Sequence, residues 1–117
     1  MKIRMMPVDK IIPYDRNPRQ NANAIPLVMA SIKEYGFQQP LVLDSENVII
    51  VGHTRFQAAM KLGMDKVPVT IADNLTEAQV KAYRIMDNRS AEKAIWDDEL
   101  LALELGDLEG MNFNLDL

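Results

Sequence analysis

Val48-Ile49-Ile50-Val51-Gly52-His53-Thr54-Arg55-Phe56-Gln57-Ala58-Ala59 runs from a β-branched apolar stretch, through one glycine, straight into a helical pattern with an arginine in its first turn. A helix start carries backbone N–H groups with no intrahelical acceptor and the positive end of the helix dipole, so it favours anions. A glycine lets an anion approach the backbone, and a guanidinium fork can grip phosphate through two parallel hydrogen bonds. The junction reads as strand, turn and helix meeting at an anion site. A plainer reading of the same residues makes Gly52 a tight turn and Arg55 a solvated charge.

Strands and helices alternate on either side of this junction. Upstream, Leu41-Val42-Leu43 reads as a strand opened by Pro40, and Asp44-Ser45-Glu46-Asn47 turns it into the strand ending at Val51. Before it, Ile25, Val28, Met29 and Ile32 fall at i, i+3, i+4 and i+7, which predicts a helix from about Ala24 that stops at Gly36. Residues 2–6 and 8–12 read as extended, with Pro7 and Pro13 as breaks. Downstream, the helix from His53 places Phe56, Ala59 and Met60 on one face and stops at Gly63; residues 67–71 then read as a strand whose Pro68 suggests an edge or a bulge. Thr76-Glu77-Ala78-Gln79 has capping-box spacing, with Leu75 and Val80 placed as a hydrophobic staple, and Trp96-Asp97 ahead of Leu100 repeats that logic for a last helix. Met29, Met60 and Met86 read as adaptable core filling.

With 117 residues the sequence supports one modest core. It has no cysteine, which excludes disulfides, thiolate metal sites and cysteine nucleophiles. The opening Met1-Lys2-Ile3-Arg4 leads into alternation and early prolines rather than an apolar run, the pattern of neither a signal peptide nor a membrane span, so the expected location is the cytoplasm. The net charge of −4 conceals an asymmetry: residues 1–91 hold 12 Lys and Arg against 9 Asp and Glu, whereas 92–117 hold 1 against 8. The mildly basic body suits an anionic ligand, and the acidic end would repel a nucleic-acid backbone.

Asn17-Pro18-Arg19, then Ser31-Ile32-Lys33-Glu34-Tyr35-Gly36-Phe37-Gln38-Gln39-Pro40-Leu41-Val42, then Gly52-His53-Thr54-Arg55-Phe56-Gln57-Ala58-Ala59, then Lys61-Leu62-Gly63 leading to Val67-Pro68-Val69, follow one another in an order and spacing that resembles the N-terminal domain shared by ParB partition proteins and sulfiredoxins. The resemblance runs from about Val8 to about Ala91. It implies an α/β (α+β) fold, a small mixed sheet flanked by helices with a C-terminal helical extension, divided into a domain over 1–91 and an acidic extension and tail over 92–117. It also implies a nucleotide site where the Gly-x-x-Arg helix begins, which takes CTP with magnesium in partition proteins and ATP in sulfiredoxins. On that basis Arg19, Gln39, Gly52, His53, Thr54 and Arg55 are the nucleotide-binding candidates. His53 and Thr54 depart from the family pattern, which has an acidic residue or cysteine at the first position and a basic residue at the second. Without a cysteine, sulfiredoxin chemistry is excluded.

Asp87-Asn88-Arg89-Ser90-Ala91-Glu92 resembles the Glu-Asn-x-x-Arg segment with which partition proteins hold phosphate and metal, so Asp87 and Asn88 are candidate magnesium ligands through oxygen. Ala91 stands at the arginine position, and Arg89 falls two residues early. Alternatively, Asp87-Asn88 closes the helix begun at Thr76. Together with Trp96-Asp97-Asp98-Glu99-Leu100-Leu101, this segment also resembles ParB-like domains of phage and mobile-element proteins that are often joined to a DNA methyltransferase. The irregular stretch after Gly110 is what a boundary before a second domain would leave.

His53, the only histidine, is a weak catalytic candidate as a general base beside a phosphate; its alternative is a plain hydrogen-bonding or turn role. These readings converge on a CTP- or ATP-binding module, with magnesium, that regulates or targets a DNA-acting protein such as a methyltransferase or a partition complex. DNA would be met through an attached or partner protein, and a homodimer is compatible with the family. The alternatives are a metal-dependent nuclease or nucleoside triphosphatase, and a protein-interaction domain that has lost its ligand.

Overall fold

The computed structural model describes residues 2–15, 22–93 and 97–113, with 88–93 described by backbone alone. Four strands, β1 (Arg4–Pro7), β2 (Leu41–Leu43), β3 (Ile49–Val51) and β4 (Lys66–Ile71), and four helices, α1 (Ile25–Tyr35), α2 (His53–Lys61), α3 (Glu77–Lys93) and α4 (Asp98–Gly110), make up the described fold. The sheet order is β1-β4-β2-β3. β4 runs antiparallel to β1, with Met5 opposite Pro68, and parallel to β2, with Leu41 opposite Val69. β2 and β3 form an antiparallel hairpin, so the sheet is mixed, as the family resemblance implies.

Period-two alternation along the strands feeds two separate cores. On one face Met6, Leu41, Leu43, Ile49, Val67 and Val69 pack with Phe56 and Ala59 of α2. On the other, Ile50 packs with Ala72 and with Val80 of α3, flanked by Val42, Val51 and Leu75. α1 lies against α2 on the first face, and α3 crosses β3 on the second. α4 carries no buried residue, as its charge pattern suggests, and the chain just after it returns to α1, where Phe113 stacks on Tyr35 with ring centroids 6.3 Å apart.

Local chemistry explains the boundaries. α1 has Pro26 in its first turn and is closed by Gly36, whose N–H bonds to the Ile32 carbonyl at φ 83°. In the β2–β3 turn the Asp44 carboxylate accepts hydrogen bonds from the Glu46 and Val48 amides, and Asn47 takes the left-handed conformation. The capping box forms as the spacing predicts: the Gln79 amide donates to Thr76 Oγ1 at 3.1 Å, and the Thr76 amide donates to Gln79 Oε1 at 2.9 Å. Asp97 caps α4 through the Leu100 amide, whereas Trp96, its expected staple, lies outside the described residues.

Three expectations require correction. Residues 8–12 are not a strand: Val8–Lys10 is a 3₁₀ turn pinned by the Val8 amide to the Asp65 carbonyl, and only Ile12 pairs, with Val48. Pro68 is buried in an interior strand rather than at an edge; pairing with β2 begins only at Val69, so on that side its missing N–H costs no ladder bond. Met60 and Met86 are not core, being 51% and 63% exposed. Ala58 and Ala59 take the inner side of α2, and α3 turns Val80 and Arg84 inward, which leaves both methionines facing out. Thr76→Ala, which removes the α3 cap, is expected to lower unfolding free energy by about 1 kcal/mol in urea denaturation.

Candidate functional site

Where β3 gives way to α2, Gly52 serves as the helix N-cap at φ 107°, and its carbonyl accepts the Phe56 amide at 2.9 Å. Among the described residues no side chain caps the helix, and its first turn holds no acid to meet the positive end of its dipole. A Cβ added at Gly52 would lie 2.5 Å from Leu41 Cδ2 and 3.1 Å from Arg55 Nη2. Both the positive φ and this crowding demand glycine.

Arg55 folds back over that glycine instead of extending into water. Its Nη2 donates to the Pro40 carbonyl at 3.2 Å and its Nη1 to Gln39 Oε1 at 3.3 Å, while Nε is buried with no partner among the described residues. Burial pushes the guanidinium pKa down, and the negative charge of Asp87 opposes that shift. Gln39, Gly52 and Arg55 thus share one corner, with Thr54 half-buried in the same helical turn. A slot of about 430 Å³ opens beside it, walled by Leu27, Val28 and Ile32 of α1 and by Phe37 and Gln39, with Arg55 at its edge. Two larger clefts, of about 600 and 660 Å³, include neither Gly52 nor Arg55 and are not centred on this chemistry.

His53 is held neutral. Its Nε2 accepts the Tyr14 backbone N–H at 3.2 Å, which places the ring proton on Nδ1, and burial followed by the positive charge of Arg84 lowers its pKa from 6.5 to about 4. With that nitrogen committed to the main chain, the geometry favours the hydrogen-bonding role over the basic one. Asp87 and Asn88 lie inside α3, which continues to Lys93, so they do not close the helix. The Asn88 side chain and Arg19 lie outside the described residues. Among the described residues no group of three His, Asp or Glu side chains converges as a metal site.

Sequence reasoning missed Arg84. It is 6% exposed, donates from Nε to the Ile49 carbonyl at 3.0 Å, places Nη2 3.6 Å from Asp44 Oδ2, and stacks its guanidinium 3.8 Å above the Tyr14 ring centroid. Its position four residues after Val80 puts a charge in the inward stripe of α3, and that spacing could have revealed it.

The sequence profile of the ParB N-terminal domain matches residues 1–88. The chain belongs to this family. It is 36% identical over 80 residues to a ParB-like nuclease domain-containing protein of Escherichia coli, covering 68% of this chain and 92% of that one. It is 31% identical over 98 residues to a nucleoid occlusion protein of Listeria monocytogenes, covering 79% of this chain and 34% of that protein, so it spans about a third of such relatives. The fold matches the C-terminally truncated chromosome-partitioning protein ParB of Caulobacter crescentus in complex with CTP-γ-S, with a TM-score of 0.78 and 23% identity over 92% of this chain and 63% of that one. It also matches sulfiredoxin of Arabidopsis thaliana, with a TM-score of 0.59 and 24% identity over 71% and 97%. Among the described residues no helix is long and apolar enough to cross a membrane.

Gly52→Ala is expected to destabilise the protein by more than about 1 kcal/mol in urea denaturation, because alanine meets both strain and crowding there. Folded His53 resists a proton that the unfolded chain accepts, so its contribution to stability is complete above pH 6.5 and is lost as pH falls toward about 4. The fall in melting temperature over that interval is expected to be smaller in His53→Gln than in the parent.

Proposed function

We propose that this ParB N-terminal domain binds a nucleoside triphosphate, CTP or ATP, with its phosphates at the start of α2, and transmits the bound state to a DNA-acting partner. The observation that carries this reading is the Gly52 corner: a left-handed glycine at a helix start that no described side chain caps, crossed by an arginine whose Nε is buried with no partner among the described residues. A buried donor left unsatisfied is costly, and an entering phosphate oxygen would satisfy it while gaining a charge-assisted bond. The CTP-γ-S bound by the Caulobacter partition protein, on the same fold, supports the nucleotide class.

Gly52, His53, Thr54 and Arg55 would surround the phosphates, Gln39 would sit between them and the α1 slot, and Arg19 is a further nucleotide-binding candidate. The donor types of Asp87 and Asn88, a carboxylate and an amide oxygen, suit magnesium, and these two residues would hold it. Once bound, it would neutralise phosphate charge. The partner in view is an attached or separate DNA-acting protein, a methyltransferase or a partition-type complex, and the domain could pair with a second copy. The nuclease named in the Escherichia coli relative ordinarily relies on clustered metal ligands, which the described residues do not bring together.

Titration with labelled CTP and ATP is the test. Arg55→Ala is expected to bind at least tenfold more weakly than the parent, the loss of about 1.5–3 kcal/mol typical of a hydrogen bond to a charged group. Equal affinity of the two proteins would remove Arg55 from the site, and binding of neither nucleotide by the parent would remove the site.

A further inference from the structure

Arg84 lies outside the nucleotide corner, yet it touches two of the segments that frame it. Its Nε donates to the Ile49 carbonyl of β3, its Nη2 faces Asp44 in the β2–β3 turn, and its guanidinium carbon lies 3.8 Å over the Tyr14 ring centroid. Tyr14 donates its backbone N–H to His53 Nε2, in the first turn of α2. A continuous path therefore runs from α3 through Arg84, Tyr14 and His53 to the helix start where Gly52 and Arg55 lie.

His53 follows Gly52 directly, so whatever seats Tyr14 also sets the hydrogen bond that holds the first turn of α2. The apolar seat of α3 is small, centred on Val80, Ile50 and Ala72. A buried charged side chain with three partners is consequently a large share of what holds α3 in register, since removing one member of such a set strands the others.

We propose that Arg84 is a positioning residue for the nucleotide corner: it clasps the Tyr14 segment and α3 to the sheet, and so fixes the main-chain hydrogen bond that seats His53 in the first turn of α2, without touching the nucleotide. This rests on the nucleotide reading above. A stacked, forked guanidinium is required, because lysine can face Asp44 but cannot also lie flat on the ring and donate to Ile49.

The experiment compares the parent, Arg84→Met and Arg84→Lys, with folding checked by circular dichroism. Two readouts are taken: hydrogen exchange of the Tyr14 amide with the ¹⁵N signal of His53 Nε2 in the nucleotide-free protein, and affinity for labelled CTP and ATP. In Arg84→Met the Tyr14 amide is expected to exchange at least tenfold faster, the His53 Nε2 signal to move toward that of a free acceptor, and nucleotide affinity to fall about tenfold; Arg84→Lys should recover only part of each. If Arg84→Met does not fold, Tyr14→Ala, which removes the stacked ring from a surface loop, carries the same expectations for affinity. Unchanged Tyr14 exchange and His53 signal in Arg84→Met would overturn the clasp. Faster Tyr14 exchange with parental nucleotide affinity would overturn its role at the corner. A parent that binds neither nucleotide would overturn the site reading itself, which separates that failure from the other two.

Discussion

The left-handed turn at Gly52 is the constraint on which the arrangement depends. It lets β3 end and α2 begin within one residue, so the helix start sits at the sheet edge with its amides and dipole directed at the same corner. The space that a Cβ would fill is taken by Leu41 from one side and by the Arg55 guanidinium from the other. Core packing and the seat of the Arg55 guanidinium thus meet at one atom's width, and any side chain at position 52 would disturb both.

Two arginines lie near this turn and are treated differently by their surroundings. Arg84 is held by a hydrogen bond to a carbonyl, an ion pair with an acid and an aromatic ring, the pattern of a structural charge sealed into an interface. Arg55 has two long hydrogen bonds, to Pro40 and Gln39, and one buried nitrogen with no partner among the described residues, an unmet donor that the proposed phosphate would satisfy. Between them His53 is kept uncharged, so the cationic character of the corner comes from guanidinium and helix dipole rather than from a titrating imidazole. Neutral histidine in a helix's first turn also avoids repulsion with that dipole.

Much of this was legible in the sequence because local chemistry agreed with the tertiary result. The Gly36 stop, the Thr76 capping box, the Asp97 cap and the strand-to-helix switch at Gly52 each depend on residues within a few positions of one another. What escaped depends on distant partners. Pro68 reads as an edge signal only while the strand order is unknown; the extended look of 8–12 gives way because Asp65, far along the chain, captures the Val8 amide. Met60 looked inward because methionine is apolar, but small alanines had already filled the inner face of α2. Arg84 went unremarked because its partners, Asp44, Ile49 and Tyr14, are spread over three other segments. At the corner, the residue types pointed to Arg55 and Gly52, whereas the inward fold of the guanidinium onto Pro40 needed coordinates.

The most direct measurement is an ¹H–¹⁵N correlation spectrum of the protein recorded while CTP and magnesium are added. The result expected is that the largest amide shifts fall on Gly52 to Arg55, with the Arg55 Nε–H and the Gln39 side-chain amide moving alongside them. Shifts confined to the cleft between residues 12–15 and the start of α3, or no shifts at saturating nucleotide, would contradict the assignment of the α2 start as the binding corner.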